Sequence, residues 1–161
     1  MNSRLALSIT AIFLGFGLAA CSSVALDDAG ADSSGAHGSA MDPFNPNSVL
    51  SSDRSVYFEF NKYNVDEQYR PTVENHANYL RSHPQQNIVI EGNTDAVGGS
   101  EYNLALGHRR AEAVRRVMTL MGTNDQQIET ISFGKEKPRA LGYSEQDHAE
   151  NRRADIVYER R

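Results

Sequence analysis

The sequence has one cysteine, no paired-histidine motif, no excess of positive charge and no apolar run long enough to span a membrane. Each shortage removes a class of function. A lone Cys21 excludes an internal disulfide framework and any cysteine-rich zinc site. The five histidines are scattered without His-Glu-x-x-His spacing, so neither a metal site nor a cofactor is expected. Formal net charge is -5, and Arg109, Arg110, Arg115 and Arg116 are interleaved with apolar residues at helical spacing, which argues against nucleic acid as a partner. Catalytic patterns are also lacking. Ser132 has no Gly-x-Ser-x-Gly context, and Gly134-Lys135 is no phosphate loop, because Glu129 stands where its first glycine is needed. No carboxylate pair forms around Asp95, with Glu91 four residues back and Glu101 on the following helix. A hydrolase would need one of these, so no enzyme is expected.

What is present begins with a targeting segment, residues 1–20. Arg4 precedes Leu5 to Leu18, an apolar run of 14 residues. A spanning helix needs roughly 17–25, and the shorter length is that of a secretory signal. Leu18-Ala19-Ala20-Cys21 resembles the lipobox of bacterial lipoproteins, with small residues before the cysteine that takes the lipid. Each buried methylene adds about 0.8 kcal/mol, so several acyl chains on Cys21 would hold the chain at a membrane. Ser22 after the cysteine, by resemblance to lipoprotein sorting, favours the outer membrane. Residues 21–52 read as a lipidated flexible linker, rich in small and polar residues, with Asp27, Asp28, Asp32 and Asp42 and no lysine or arginine. Its coil reach is on the order of 30 Å, and about 110 Å if fully stretched.

Residues 53–161 read as the folded domain. Val56, Phe58 and Phe60 alternate on one face of a half-buried strand. Asn64-Val65-Asp66-Glu67 has the form of a capping box. A helix with the stripe Tyr69, Val73, Ala77 and Leu80 follows to about His83, with Pro71 permitted only in its first turn. Ile88-Val89-Ile90 is apolar on both faces, which marks a central strand. A second helix is expected from an N-cap at Ser100 to about Met121, stopped by Gly122. Ile128 to Phe133 is a third strand, 134–146 a loop, and Arg153 to Tyr158 the last strand. The order strand, helix, strand, helix, strand, loop, strand predicts an α/β fold: a two-layer sandwich of a small mixed sheet with helices on one face.

Two residues fit this pattern poorly. On the second helix, Asn103, Leu106, Ala113, Val117, Leu120 and Met121 cluster on one side, and Arg110 falls within the cluster, about 40° from Leu106. A guanidinium there must be paired or must sit at the rim of a cleft. Asp95 ends the loop feeding this helix. The two could form a plain salt bridge. They could equally recognise a zwitterion, Asp95 accepting from an ammonium group and Arg110 gripping a carboxylate.

Several blocks together resemble the OmpA C-terminal-like domain family. They are Val56-Tyr57-Phe58-Glu59-Phe60-Asn61, Glu91-Gly92-Asn93-Thr94-Asp95, Glu101-Tyr102-Asn103-Leu104-Ala105-Leu106-Gly107-x-Arg109-Arg110-Ala111, Ser132 through Pro138, and Asn151-Arg152-Arg153-Ala154. The resemblance implies binding to the stem peptide of peptidoglycan through meso-diaminopimelate, with Asp95 and Arg110 matching the family's binding pair. It also implies main-chain contacts from Phe60-Asn61 and a wall at Leu106. Asn61 stands where the family often has Asp, which main-chain contacts would survive. Ala96-Val97 stands where it usually has Glu-Arg, which implies a weaker hold on the ligand. Arg152 and Arg153 read as a basic pair fixing the loop before the last strand, or as a rim contact. The expected function is a non-enzymatic tether between outer membrane and cell wall. By the same resemblance, TolB and the Tol system are the expected partners, with a role in division. The alternative is a protein-interaction module in which Asp95–Arg110 is only structural.

Overall fold

The structure, a computed structural model, describes residues 41–160; the signal segment 1–20, Cys21, the remainder of the linker to residue 40, and Arg161 lie outside the described residues. The elements are α1 (Val49–Ser52), β1 (Ser55–Tyr57), α2 (Arg70–Ser82), β2 (Ile88–Asn93), α3 (Ser100–Leu120), β3 (Ile128–Gly134), α4 (Glu145–Asn151) and β4 (Arg153–Tyr158). Strand order is β1-β4-β2-β3. β2 is central, parallel to β3 and antiparallel to β4, and β1 closes the edge antiparallel to β4. The sheet is therefore mixed, and it is layered against α2 and α3.

The core lies between these layers. Val56, Ile88, Ile90, Ala154 and Ile156 meet Val73, Ala77 and Leu80 of α2, and Ala111, Val114 and Met118 of α3. Pro71 sits in the first turn of α2, where its missing N–H costs no helical bond. A single 3-10 turn, Glu67–Tyr69, precedes that helix, and Asp66 caps it by accepting from Gln68 N. The Asn64–Glu67 capping box is not formed.

The central strand and α3 touch along their backbones. A Cβ on Gly92 would lie 1.9 Å from Gly107 O, and one on Gly107 would lie 2.3 Å from Ser132 Oγ. The missing side chains let the helix descend onto β2. This shifts its buried face: the inward residues are Asn103, Leu106, Gly107, Arg110, Ala111, Val114 and Met118, while Leu120 is 82% exposed. The expected stripe through Ala113, Val117 and Leu120 is corrected by about one residue, because small Gly107 and Ala111 mark the contact line. The cap is Gly99, not Ser100, which is the first helical residue. Gly122, at φ 93°, ends the helix as expected.

Three further expectations change. Strand β1 ends at Tyr57, and Phe60 is 59% exposed instead of continuing the buried face. Helix α4 occupies a stretch beginning inside the expected loop, started by a capping box between Ser144 and Asp147. Packing also begins before residue 53. Leu50 on α1 is fully buried, Arg54 donates to Leu50 O and Pro43 O, and Thr72 Oγ1 donates to Asp53 Oδ2. The linker composition of this stretch hides one buried leucine that secures it.

Candidate functional site

The sheet topology decides where a site can form. β1, β2 and β3 run in the same direction and β4 runs against them. The loops leaving β1 and β2, the start of α3 and the start of β4 therefore converge at one edge. There they enclose a cavity of about 200 Å³. Its lining includes Phe60, Asn61, Asp95, Leu106 and Arg110, the five residues singled out from sequence, together with Val97, Gly98, Tyr102 and Asn103.

Arg110 is completely buried, 0% exposed, and is the largest such side chain among the described residues. Three main-chain carbonyls hold it: Nε donates to Lys62 O at 2.9 Å, Nη1 to Asn93 O at 2.9 Å and Nη2 to Glu59 O at 3.3 Å. Its guanidinium carbon lies 5.1 Å from the centre of the Phe58 ring. Burial lowers its pKa to about 10, opposed by the charge of Asp95, so it stays protonated at neutral pH. Of its five N–H groups, these bonds occupy one on each nitrogen, leaving one on Nη1 and one on Nη2.

Asp95 is not paired with Arg110. Its Oδ2 accepts from Arg152 Nη1 at 3.3 Å, and its Oδ1 accepts from the main-chain N of Val97 at 3.2 Å. The plain Asp95–Arg110 salt bridge of the alternative reading is thus absent, and each charge reaches the cavity with bonding capacity unused. Arg152 is buried as well. It also donates to Phe58 O at 3.2 Å and to Glu145 Oε1 at 2.6 Å, which holds the Glu145 carboxyl below its usual range. The two buried arginines together clamp the loop after β1, through the carbonyls of Phe58, Glu59 and Lys62.

The loop after β2 is fixed from several directions. Thr94 N donates to Gly134 O, Asn103 Nδ2 to Val97 O at 2.9 Å, and Lys135 Nζ to Gly98 O at 3.0 Å. The departure at Ala96-Val97 leaves this scaffold standing, because Asp95 is oriented by the main chain of residue 97. Asn61 adopts φ 57°, a left-handed conformation that asparagine and aspartate tolerate best after glycine. Its side chain accepts from Tyr102 Oη. Exchanging Asp for Asn at this position therefore keeps the backbone geometry.

Tyr102 and Asn103 also line the cavity, and Arg152, outside its lining, supports Asp95 from behind; the sequence marks none of these three as site residues. Arg152 also fixes α4 through Glu145. Among the described residues, no group of three or more His, Cys, Asp and Glu side chains could hold a metal, and no helix is long and apolar enough to cross a membrane.

Residues 57–152, from the end of β1 to the residue before β4, match the model of the OmpA family. The chain belongs to the OmpA family. Relatives with this domain include the peptidoglycan-associated lipoprotein of Haemophilus influenzae, 40% identical over 144 residues, 88% of this chain and 90% of that protein. That of Pasteurella multocida is 44% identical over 104 residues, 65% and 69% of the two chains. The crystal structure of the peptidoglycan-associated lipoprotein from Burkholderia pseudomallei superposes with TM-score 0.70 at 57% identity, covering 73% of this chain and 98% of that one. The C-terminal domain of Helicobacter pylori MotB, at 22% identity and TM-score 0.62 over 66% and 84% of the chains, shares the OmpA-family fold.

Proposed function

We propose that this chain is a non-enzymatic envelope lipoprotein whose folded domain binds peptidoglycan at the free zwitterionic centre of diaminopimelate. One observation carries the reading: Asp95 and Arg110 line the same cavity without being paired to each other. Asp95 would accept from the ammonium group. Arg110 would bind the carboxylate through its two remaining N–H groups, a bidentate and charge-assisted contact. A volume of about 200 Å³ suits one amino-acid centre, with Leu106 and Phe60 against its methylenes and the Asn61 main chain at its edge. Cys21 would carry the lipid in the outer membrane, so that the chain ties membrane to wall. Membership in the Tol system, with TolB as a periplasmic partner at this face and a role at division, extends the same reading. The names of the relatives support the peptidoglycan part of it.

The test is co-sedimentation with purified peptidoglycan, with and without free diaminopimelate as competitor. Wild type should sediment and be displaced. Asp95→Asn should stay in solution while its circular dichroism is unchanged. Sedimentation of Asp95→Asn at the wild-type level would overturn the proposal.

A further inference from the structure

Beside the main cavity, and sharing Asn61, Tyr102 and Leu106 with it, lies a second hollow of about 70 Å³ bounded outward by Tyr63 and Arg109. Arg109 and Arg110 are consecutive on α3, so their side chains diverge by about 100°. One is fully buried and the other exposed. They are also held differently. Arg110 is bound to three carbonyls, whereas the Arg109 side chain makes no hydrogen bond or ion pair among the described residues. Its guanidinium carbon lies 5.7 Å from the centre of the Tyr63 ring. A cation–π contact of this kind draws on the charge and leaves the N–H donors free. A fork of unused donors thus stands at a hollow that shares three lining residues with the cavity.

The chemistry of the ligand supplies a match. Diaminopimelate has two amino-acid centres. In a stem peptide one is free and zwitterionic, and the amine of the other is consumed in the chain. The second centre then carries a carboxylate only where the residue ends the stem. Such a ligand presents one ammonium and two carboxylates. Asp95 and Arg110 account for the ammonium and one carboxylate. We infer that Arg109, held on Tyr63 at the adjoining hollow, binds the second, main-chain carboxylate of the same diaminopimelate residue, so that the domain favours stems ending there. This rests on the reading of the main cavity given above.

The experiment is calorimetric titration of two synthetic stems, one ending in diaminopimelate with a free main-chain carboxylate and one with that group as a carboxamide. Wild type should prefer the free acid by roughly two- to fivefold at low ionic strength, the range of an exposed ion pair, and by less at high salt. Arg109→Ala should bind both stems alike, at the wild-type affinity for the carboxamide. Tyr63→Ala should lower the preference in the same direction. Equal affinity of wild type for the two stems, or an undiminished preference in Arg109→Ala, would overturn the inference. Asp95→Asn separates the two levels: it should weaken both stems equally. If it weakens neither, or if wild type binds neither, the reading of the main cavity falls and this inference with it.

Discussion

Arg110 shows how a charge can occupy an apolar helix face. Its position in the stripe was legible in the sequence, because a guanidinium among leucine, alanine and valine at helical spacing has few solutions. Its means of support was not, since the three carbonyls that hold it come from the loop after β1 and from the end of β2. Removing it leaves the carbonyls of Asn93 and Lys62 without this donor, at a cost of about 1–3 kcal/mol each, while Glu59 O keeps its bond from Lys62 N. Arg110→Ala should therefore lose about 3–5 kcal/mol of stability in urea unfolding, besides losing ligand binding. A stability unchanged within experimental error would show that the carbonyls find other donors. For this reason Asp95→Asn, which keeps the side-chain shape, is the better probe of binding. Arg152 was the residue least legible beforehand. It stands 57 positions from Asp95, and nothing local marks the two as partners.

At the scale of elements, strand types and their order could be read from periodicity, and the central place of β2 from its two apolar faces. Strand direction could not. Arg152 reaches Asp95 only because β4 runs against β2, which brings its start beside the end of β2. Helix α4 was missed because it is short and almost wholly polar, its signal being the cap at Ser144 and not a hydrophobic stripe. The depth of α3 was equally hidden, for it depends on two glycines far apart in sequence. In open space Gly107→Ala would add about 1 kcal/mol of helix stability. Here the new methyl meets Ser132 Oγ at 2.3 Å and Gly92 O at 2.8 Å. The substitution should instead destabilise by about 2–4 kcal/mol in urea titration. The helix that would be pushed away carries Leu106 and Arg110, so peptidoglycan binding should fall with it. A stabilised Gly107→Ala protein would disprove the close-contact account.

For the whole molecule, one buried histidine sets a pH dependence apart from the cavity. His76 is fully enclosed, with ring nitrogens 2.8 Å from Tyr158 Oη and from Asp53 O. Burial lowers its pKa from 6.5 to about 4; the Asp53 carbonyl and charge oppose the shift, and Arg54 adds to it. The unfolded chain therefore binds a proton that the folded chain refuses between those values. Stability from this group is fully present above pH 6.5 and is lost as pH falls toward about 4. Between about pH 7.5 and about pH 5 this amounts to about 2 kcal/mol. Urea unfolding at the two pH values should show that loss, and His76→Gln should flatten it. An unchanged slope in the variant would assign the pH dependence to other groups. The same region shows why the domain boundary was read late: the composition before residue 53 is that of a linker, yet Leu50 is fully buried, and Asp53 and Arg54 bind α2 and α1.

The edge strand β1 also has a mechanical meaning. With Cys21 at a membrane and the cavity on the wall, as proposed, tension would reach β1 through the α1 segment that Leu50 secures, and leave beyond its far end. The load would run along the strand's length. Its bonds to β4, from Ile156 N–Arg54 O to Phe58 N–Arg152 O, would bear that tension in shear, all together. A strand pulled outward at one end is peeled, its bonds failing one after another. Strung between anchor and ligand in this direction, a three-residue strand resists pulling as a clasp does, and the strong axis of the domain lies along the line on which the envelope would strain it.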